Sequence, residues 1–370
     1  MKRALLISCF EWYKNRLEPV REALLEKGYT VTVLSSDYSH ITKETKKEKY
    51  DECEYIHVPH YKRNLSLQRI WSHLYFGKKA NEYINRINPD LLYLIVPPNN
   101  TAHYCLEYKR KNPKIVFILD IIDLWPESMP LRKLNKTPLA MVWKSMRDRA
   151  IQSADHVFTE CDLYKKELKD ILNPARTSTL YLFKEQSEEE KKLVNEIIEN
   201  RKDIDQGIIR FAYLGSINHI IDIESICFVI KQFAEEGYTC ELHVIGDGES
   251  ADQFEKAVRE TGCITFFYGP IFDEIQKIRI LTPCDYAFNM MKDDISVGLT
   301  IKSIDYMSYG LPLINNIKGD TWRLVEDEGV GINFEKGKIN NKIVHHEKVK
   351  MIFDTKFSRE SFIMKVKTVF

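Results

Sequence analysis

The sequence predicts an α/β fold of two Rossmann-like, doubly wound domains facing a cleft. Three observations point there. Short apolar runs alternate with helix-period segments along the whole chain, the pattern of a parallel sheet covered by helices on both faces. A charged tract near the middle interrupts this rhythm, which then restarts. The 370 residues also exceed the roughly 250–300 at which a single core stops growing.

In the first half, residues 3–8, 30–34, 91–96, 115–119 and 156–159 are assigned as strands. Residues 17–27, 69–86, 102–111, 137–151 and 163–172 carry apolar positions at helical spacing between them. Residues 1–185 thus form a first domain. The tract EQSEEEKKLVNEIIENRKDIDQ follows, and residues 186–207 are assigned as a linker, partly helical. The second domain, residues 208–345, repeats the pattern. Strands at 209–214, 241–245, 264–268 and 286–289 alternate with helices at 224–235, 251–261 and 273–281. Residues 346–370 are a tail ending in an amphipathic helix over 357–369 that crosses back to the first domain.

Composition narrows the class. Apolar residues make up 44% and aromatics 11%, as in a well-packed globular protein. The eight cysteines form no C-x-x-C pair and lie in or beside apolar runs, which predicts reduced core thiols. The start MKRALLIS is too short for a signal-peptide core, and no apolar run approaches the ~20 residues of a membrane span. A cytoplasmic protein is expected. The zero net charge hides an asymmetry: residues 1–185 hold 31 Lys and Arg against 23 Asp and Glu, and the remainder holds 23 against 31. The clusters Lys62-Arg63, Lys78-Lys79, Lys109-Arg110-Lys111 and Arg132-Lys133 with Lys136 all fall in the first half, where they suit an anionic membrane surface or a phosphorylated acceptor.

The stretch SVGLTIKSIDYMSYGLPLINN, residues 296–316, is the densest in chemistry. It reads as a turn, a short helix and a buried strand. Gly298 lets backbone approach a ligand, Thr300 is placed as the N-cap, and the helix ends at Gly310 with Pro312 beyond. Such a helix start suits a diphosphate. Lys302 lies in the first turn, where a cation is disfavoured unless an anion is bound, and Asp305 follows about one turn on, placed for ribose hydroxyls. Gly215-Ser216 and Gly246-Asp247-Gly248 end two other apolar strands, where ligands of open parallel sheets dock.

In the first half FILDIIDLWPESM, residues 117–129, ends a buried strand with Asp120 and Asp123 and continues to Glu127. Asp123 and Glu127 are the catalytic candidates there, able to bind sugar hydroxyls or accept a proton. The Walker loop, G-x-G-x-x-G, H-E-x-x-H and G-x-S-x-G are all absent. A D-x-D occurs only as Asp203-Ile204-Asp205 in the charged tract, so neither metal nor cofactor is predicted.

These motifs resemble those of family 4 glycosyltransferases, the retaining GT-B type. Gly215, VIGDG at 244–248, FFYGP at 266–270, CDYAF at 284–288 and DYMSYGLPLI at 305–314 follow that family's order. DLWPES at 123–128 resembles a subset acting in bacterial capsule and O-antigen assembly. The family pairs two glutamates eight positions apart; here the first position holds Val297 and the second Asp305. The basic residue usual after the first strand of the second domain is replaced by Ser216-Ile217-Asn218-His219, and Lys302 offers the charge from elsewhere. The resemblance implies donor contacts from Gly215, Ser216, Gly246, Asp247, Tyr268, Gly298, Leu299, Thr300, Lys302 and Asp305. It also implies that Lys302 joins Asp123 and Glu127 in catalysis. The activity expected is retaining transfer of a sugar from a nucleoside diphosphate donor to a lipid-diphosphate-linked saccharide, in surface polysaccharide synthesis at the inner face of the membrane. A nucleotide-sugar 2-epimerase and a non-catalytic subunit of a heteromeric transferase remain as alternatives.

Overall fold

The computed structural model describes residues 2–129, 137–201, 207–292, 297–335, 337 and 344–370. The chain divides into two compact units, Met1–Leu182 with Phe362–Phe370, and Phe183–Ser361.

The first unit is a seven-stranded parallel sheet. Its strands are β1 (Lys2–Ser8), β2 (Tyr29–Ser36), β3 (Cys53–Ile56), β4 (Leu91–Val96), β5 (Val116–Ile121), β6 (His156–Thr159) and β7 (Thr177–Thr179), in the order β3-β2-β1-β4-β5-β6-β7. Its helices are α1 (Glu18–Glu26), α2 (Leu67–Ile87), α3 (Asn99–Lys111), α4 (Pro138–Ser153) and α5 (Asp162–Glu167). Every residue of β4, LLYLIV, is buried, as expected of a central strand covered on both faces. The strand order reverses between β1 and β4, so loops leaving those two strands part and open a crevice at their carboxyl ends.

The second unit holds six parallel strands: β8 (Ile208–Leu214), β9 (Thr239–Ile245), β10 (Ile264–Phe267), β11 (Tyr286–Asn289), β12 (Leu313–Asn315) and β13 (Gly331–Asn333). Their order, β10-β9-β8-β11-β12-β13, places the reversal between β8 and β11. Its helices are α6 (Glu188–Glu199), α7 (Ile223–Glu235), α8 (Ala251–Arg259), α9 (Glu274–Leu281), α10 (Ile301–Ser308), α11 (Asp320–Arg323) and α12 (His346–Lys356), and α13 (Arg359–Lys367) ends the chain.

Three strands have no apolar run to announce them. β3, β7 and β13 read CEYI, TST and GIN and lie at sheet edges, where one side needs no burial. The tract assigned as a linker contains α6, a capped amphipathic helix. Ser187 accepts from the Glu190 N–H at 3.2 Å while the Glu190 carboxylate accepts from the Ser187 N–H at 2.8 Å, and Val194 and Ile198 are buried in the second unit. The basic cluster at Arg132, Lys133 and Lys136, the Asp203–Asp205 pair and Ser296 lie outside the described residues. None of the eight cysteines is in a disulfide, and six are buried. Among the described residues no helix is long and apolar enough to cross a membrane.

Candidate functional site

The second unit's reversal point is built around α10. Thr300 caps the helix, its hydroxyl accepting from the Ser303 N–H at 3.0 Å, as the sequence implied. The same hydroxyl donates to Asn289 Oδ1 at 2.8 Å. Asn289 in turn donates to Asn315 Oδ1 (2.9 Å), and Asn315 to Asn333 Oδ1 (2.9 Å). These are the last residues of β11, β12 and β13, so a chain of amides along the carboxyl edge fixes where α10 begins. Farther along the helix, the Tyr306 hydroxyl accepts from the Leu214 N–H at 2.7 Å and lies 3.4 Å from the Phe288 carbonyl. α10 is thereby pinned to both strands flanking the crevice. The N–H groups of Ile301 and Lys302 have no partner among the described residues.

Lys302 turns back toward the end of β8. Its ammonium donates to the Tyr213 hydroxyl at 2.7 Å and lies 4.3 Å from the centre of that ring, and Tyr213 donates to the Ser216 carbonyl at 2.8 Å. Gly215 has φ +111°, and a Cβ there would sit 2.9 Å from Lys302 Cε, so glycine is required both by the backbone and by the lysine crossing it. Among the described residues no carboxylate forms an ion pair with Lys302. Burial alone pushes its amine down to about 8. A largely buried cation beside free helix N–H groups is the chemistry of an anion site.

The other expected donor residues divide. Gly246 and Gly248 serve loop packing: a Cβ on either would lie 2.0 Å from the Gly215 carbonyl oxygen or 2.3 Å from that of Ile217. Asp247 accepts from the Gly248 N–H at 2.7 Å within its own turn. Tyr268 stacks on His243, with its hydroxyl 2.8 Å from Nδ1. Gly298 is buried, its carbonyl accepting from the Thr321 N–H at 3.0 Å, with Leu299 half-buried beside it. Asp305, expected at a ribose, pairs with Lys184 at 3.0 Å; Lys184 also pairs with Glu274 and meets the Tyr309 hydroxyl at 3.0 Å. The structure therefore brings Gly215, Ser216, Thr300 and Lys302 together and ties Asp305 into an ion network of the second unit.

The first-unit candidates have local partners. Asp123 accepts from the Leu124 N–H (2.8 Å), the Trp125 indole (2.6 Å) and the Ser128 hydroxyl, and so staples its own turn. Glu127 is gripped by the fully buried Arg147, at 2.8 and 3.0 Å, and by Lys144 at 3.1 Å. Burial raises the Glu127 carboxyl, but the hydrogen bonds and charge of Arg147 outweigh that and leave it below the ordinary range. Such a group is a poor proton donor near neutrality. Asp120 is buried deeper, bonded by Arg16 at 2.6 and 2.7 Å and by the Tyr93 hydroxyl at 2.6 Å.

Residues that sequence reasoning passed over are as prominent. Glu160, at the carboxyl end of β6, is pushed up to about 7 by burial, against the pull of Arg16. His73 is buried, stacks on Trp125 at 5.6 Å, and is pushed down to about 3 by burial and by Arg69. Tyr213 was read only as part of a strand. Its one signal was an aromatic two residues before a strand-end glycine.

No protein-family model matches the sequence, and no curated protein is significantly similar to it. Similarity emerges in structure. Lipopolysaccharide outer core galactosyltransferase WaaB in its apo form superposes with TM-score 0.66 at 14% identity, over 100% of this chain and 99% of that one. Sucrose-phosphate synthase from Thermosynechococcus elongatus gives 0.60 at 12%, over 100% and 98%. Anabaena Alr3699/HepE in complex with UDP gives 0.59 at 12%, over 100% and 99%. The chain therefore has the fold of GT-B glycosyltransferases, from end to end, at identities that speak for fold alone.

Proposed function

We propose that the protein is a glycosyltransferase that takes a sugar from a nucleoside diphosphate donor bound at the α10 start. The observation that carries this is Lys302, a mostly buried ammonium with no carboxylate partner among the described residues, at the fold's ligand-binding crevice. Lys302 and the first N–H groups of α10 would hold the diphosphate and stabilise the charge it gains as it leaves. A crystal structure of the similar Anabaena Alr3699/HepE holds UDP-glucose, which supports this donor class. Transfer with retention, the leaving phosphate helping to deprotonate the acceptor hydroxyl, is the mechanism the family 4 resemblance suggests.

The acceptor is assigned to the first unit, as a saccharide or a lipid-linked saccharide in surface polysaccharide synthesis. Its basic excess is joined by exposed apolar residues at the starts of α2 and α4, among them Leu67 (82% exposed), Trp71 (61%) and Leu139 (73%), with Lys62, Arg63 and Lys144 nearby in sequence. Apolar side chains beside lysines suit the anionic inner face of a membrane. Vesicle binding that weakens with salt and falls in Trp71→Ser would support this placement.

The direct test is calorimetric. Full-length protein should bind UDP, and Lys302→Met should weaken binding by about 1.5–3 kcal/mol, the worth of a charge-assisted contact. Equal affinity in a folded variant would remove the donor assignment. Release of sugar from UDP-sugars without acceptor would separate a transferase from an inert subunit.

A further inference from the structure

Away from the residues just discussed, the first unit contains a pocket of about 430 Å³ at the carboxyl ends of β1 and β2, within the ~300–1,000 Å³ usual for small-molecule sites. Its walls come from the segment following β1 (Phe10, Glu11, Tyr13), from the segment joining β2 to β3 (Lys46, Tyr50) and from β3 itself (Tyr55).

Three features give the pocket a chemical character. Tyr13 and Tyr50 lie against each other with ring centres 4.5 Å apart, and Tyr55 adds a third ring. Aromatic faces suit the C–H face of a sugar ring. On another wall Glu11 accepts from the His40 N–H at 2.8 Å and also contacts the His40 ring. Burial raises this carboxyl, but His40, Ser39 and Lys46 together bring it down to about 2, so it stays an acceptor for hydroxyls. Third, Lys46 donates to the Ser35 hydroxyl at 3.1 Å and forms no ion pair among the described residues. An ammonium carries three donors, so two are left for a guest. Burial lowers its amine, as for Lys302. The remaining charges of the rim are compensated or solvent-facing: Lys14 pairs with Glu48 at 3.6 Å, and Glu44 and Lys47 are exposed.

We propose that this pocket binds an acidic monosaccharide unit of the acceptor, with Lys46 holding its anionic group, the tyrosines its ring and Glu11 its hydroxyls. The inference rests on the transferase reading for the word acceptor, but the binding it predicts does not. The anion is a carboxylate or a phosphate, and the probes distinguish them.

Full-length protein is titrated with glucuronic acid, glucose 6-phosphate and glucose by ligand-observed NMR. At least one acidic sugar should bind tenfold or more tightly than glucose, and which one it is names the anion. Lys46→Gln should abolish the preference, Lys46→Arg should keep it, and Tyr50→Ala should weaken all three. UDP affinity should be unchanged in each variant, whereas Lys302→Met should weaken UDP binding about tenfold or more and keep the acidic preference, so the two readings fail separately. Equal binding of the three sugars, binding by none, or a preference that survives in folded Lys46→Gln overturns the proposal.

Discussion

The segment FILDIIDLWPESM of the first unit and the segment from β11 through α10 in the second both follow buried strands and both carry charge. In the first, Asp120 is bonded by Arg16, Asp123 by its own turn and Glu127 by Arg147. In the second, the Lys302 ammonium meets the Tyr213 hydroxyl and, among the described residues, no carboxylate. Charge at a strand end is therefore poor evidence of function by itself. What separates structure from site is whether the fold has already neutralised the charge, because a buried charge left unpaired costs several kcal/mol unless a ligand compensates it.

The sharpest way to break this contrast is to orphan one of the neutralised charges. Arg16→Met leaves Asp120 buried without its cation and should cost about 3–5 kcal/mol in urea unfolding; a loss under 1 kcal/mol would mean the pair is not structural. Next comes Gly215→Ala, which forces a Cβ against Lys302 at φ +111°. UDP affinity should fall by roughly tenfold or more, toward the 1.5–3 kcal/mol of losing the lysine contact, while affinity for the acidic sugar should not move.

A milder probe is pH. Burial places the Lys302 amine near 8 in the free protein, and a bound diphosphate should raise it. Below pH 8 the lysine is charged in both states and affinity is flat. Above it, binding must first take up a proton, so affinity should drop by up to about tenfold per pH unit. In folding the sign is opposite: the depressed amine favours the unfolded chain at low pH, and this penalty disappears as pH rises from about 8 toward the 10.5 of an ordinary lysine. Calorimetry across pH 7–9 on wild type and Lys302→Met reads the binding effect, which the variant should lack. The smallest change is Asp123→Asn, which keeps one acceptor oxygen for the turn. It should cost about 1 kcal/mol of stability and less than tenfold in turnover. A loss beyond a hundredfold with UDP binding intact would return Asp123 to the reacting centre.

Much of this was legible in the sequence, for local reasons. β4 is apolar at every position, the Thr300 cap acts on Ser303 three residues away, and Gly215 and the ill-placed Lys302 stand out by residue type at a strand end and a helix start. The partners were not legible. Arg147 lies 20 residues from Glu127, Lys184 more than a hundred from Asp305, and Arg16 more than a hundred from Asp120. No periodicity encodes such pairings; they exist only once the sheet has ordered its strands. Edge strands escaped for the opposite reason: β3 and β7 bury too little to need an apolar pattern, and β13, though mostly buried, is only three residues long.

The row of asparagines at the ends of β11, β12 and β13 has a direction. Each amide gives its Nδ2 hydrogen to the next oxygen, and the last gives to the Trp322 carbonyl at 2.9 Å. An aspartate at any of these positions would have no hydrogen to pass on, so a single change, including spontaneous loss of the amide nitrogen, breaks the relay and strands a negative charge within it. The three positions thus act as one unit: a change at Asn289 meets the Thr300 cap directly, and one at Asn315 or Asn333 reaches it through the amides between.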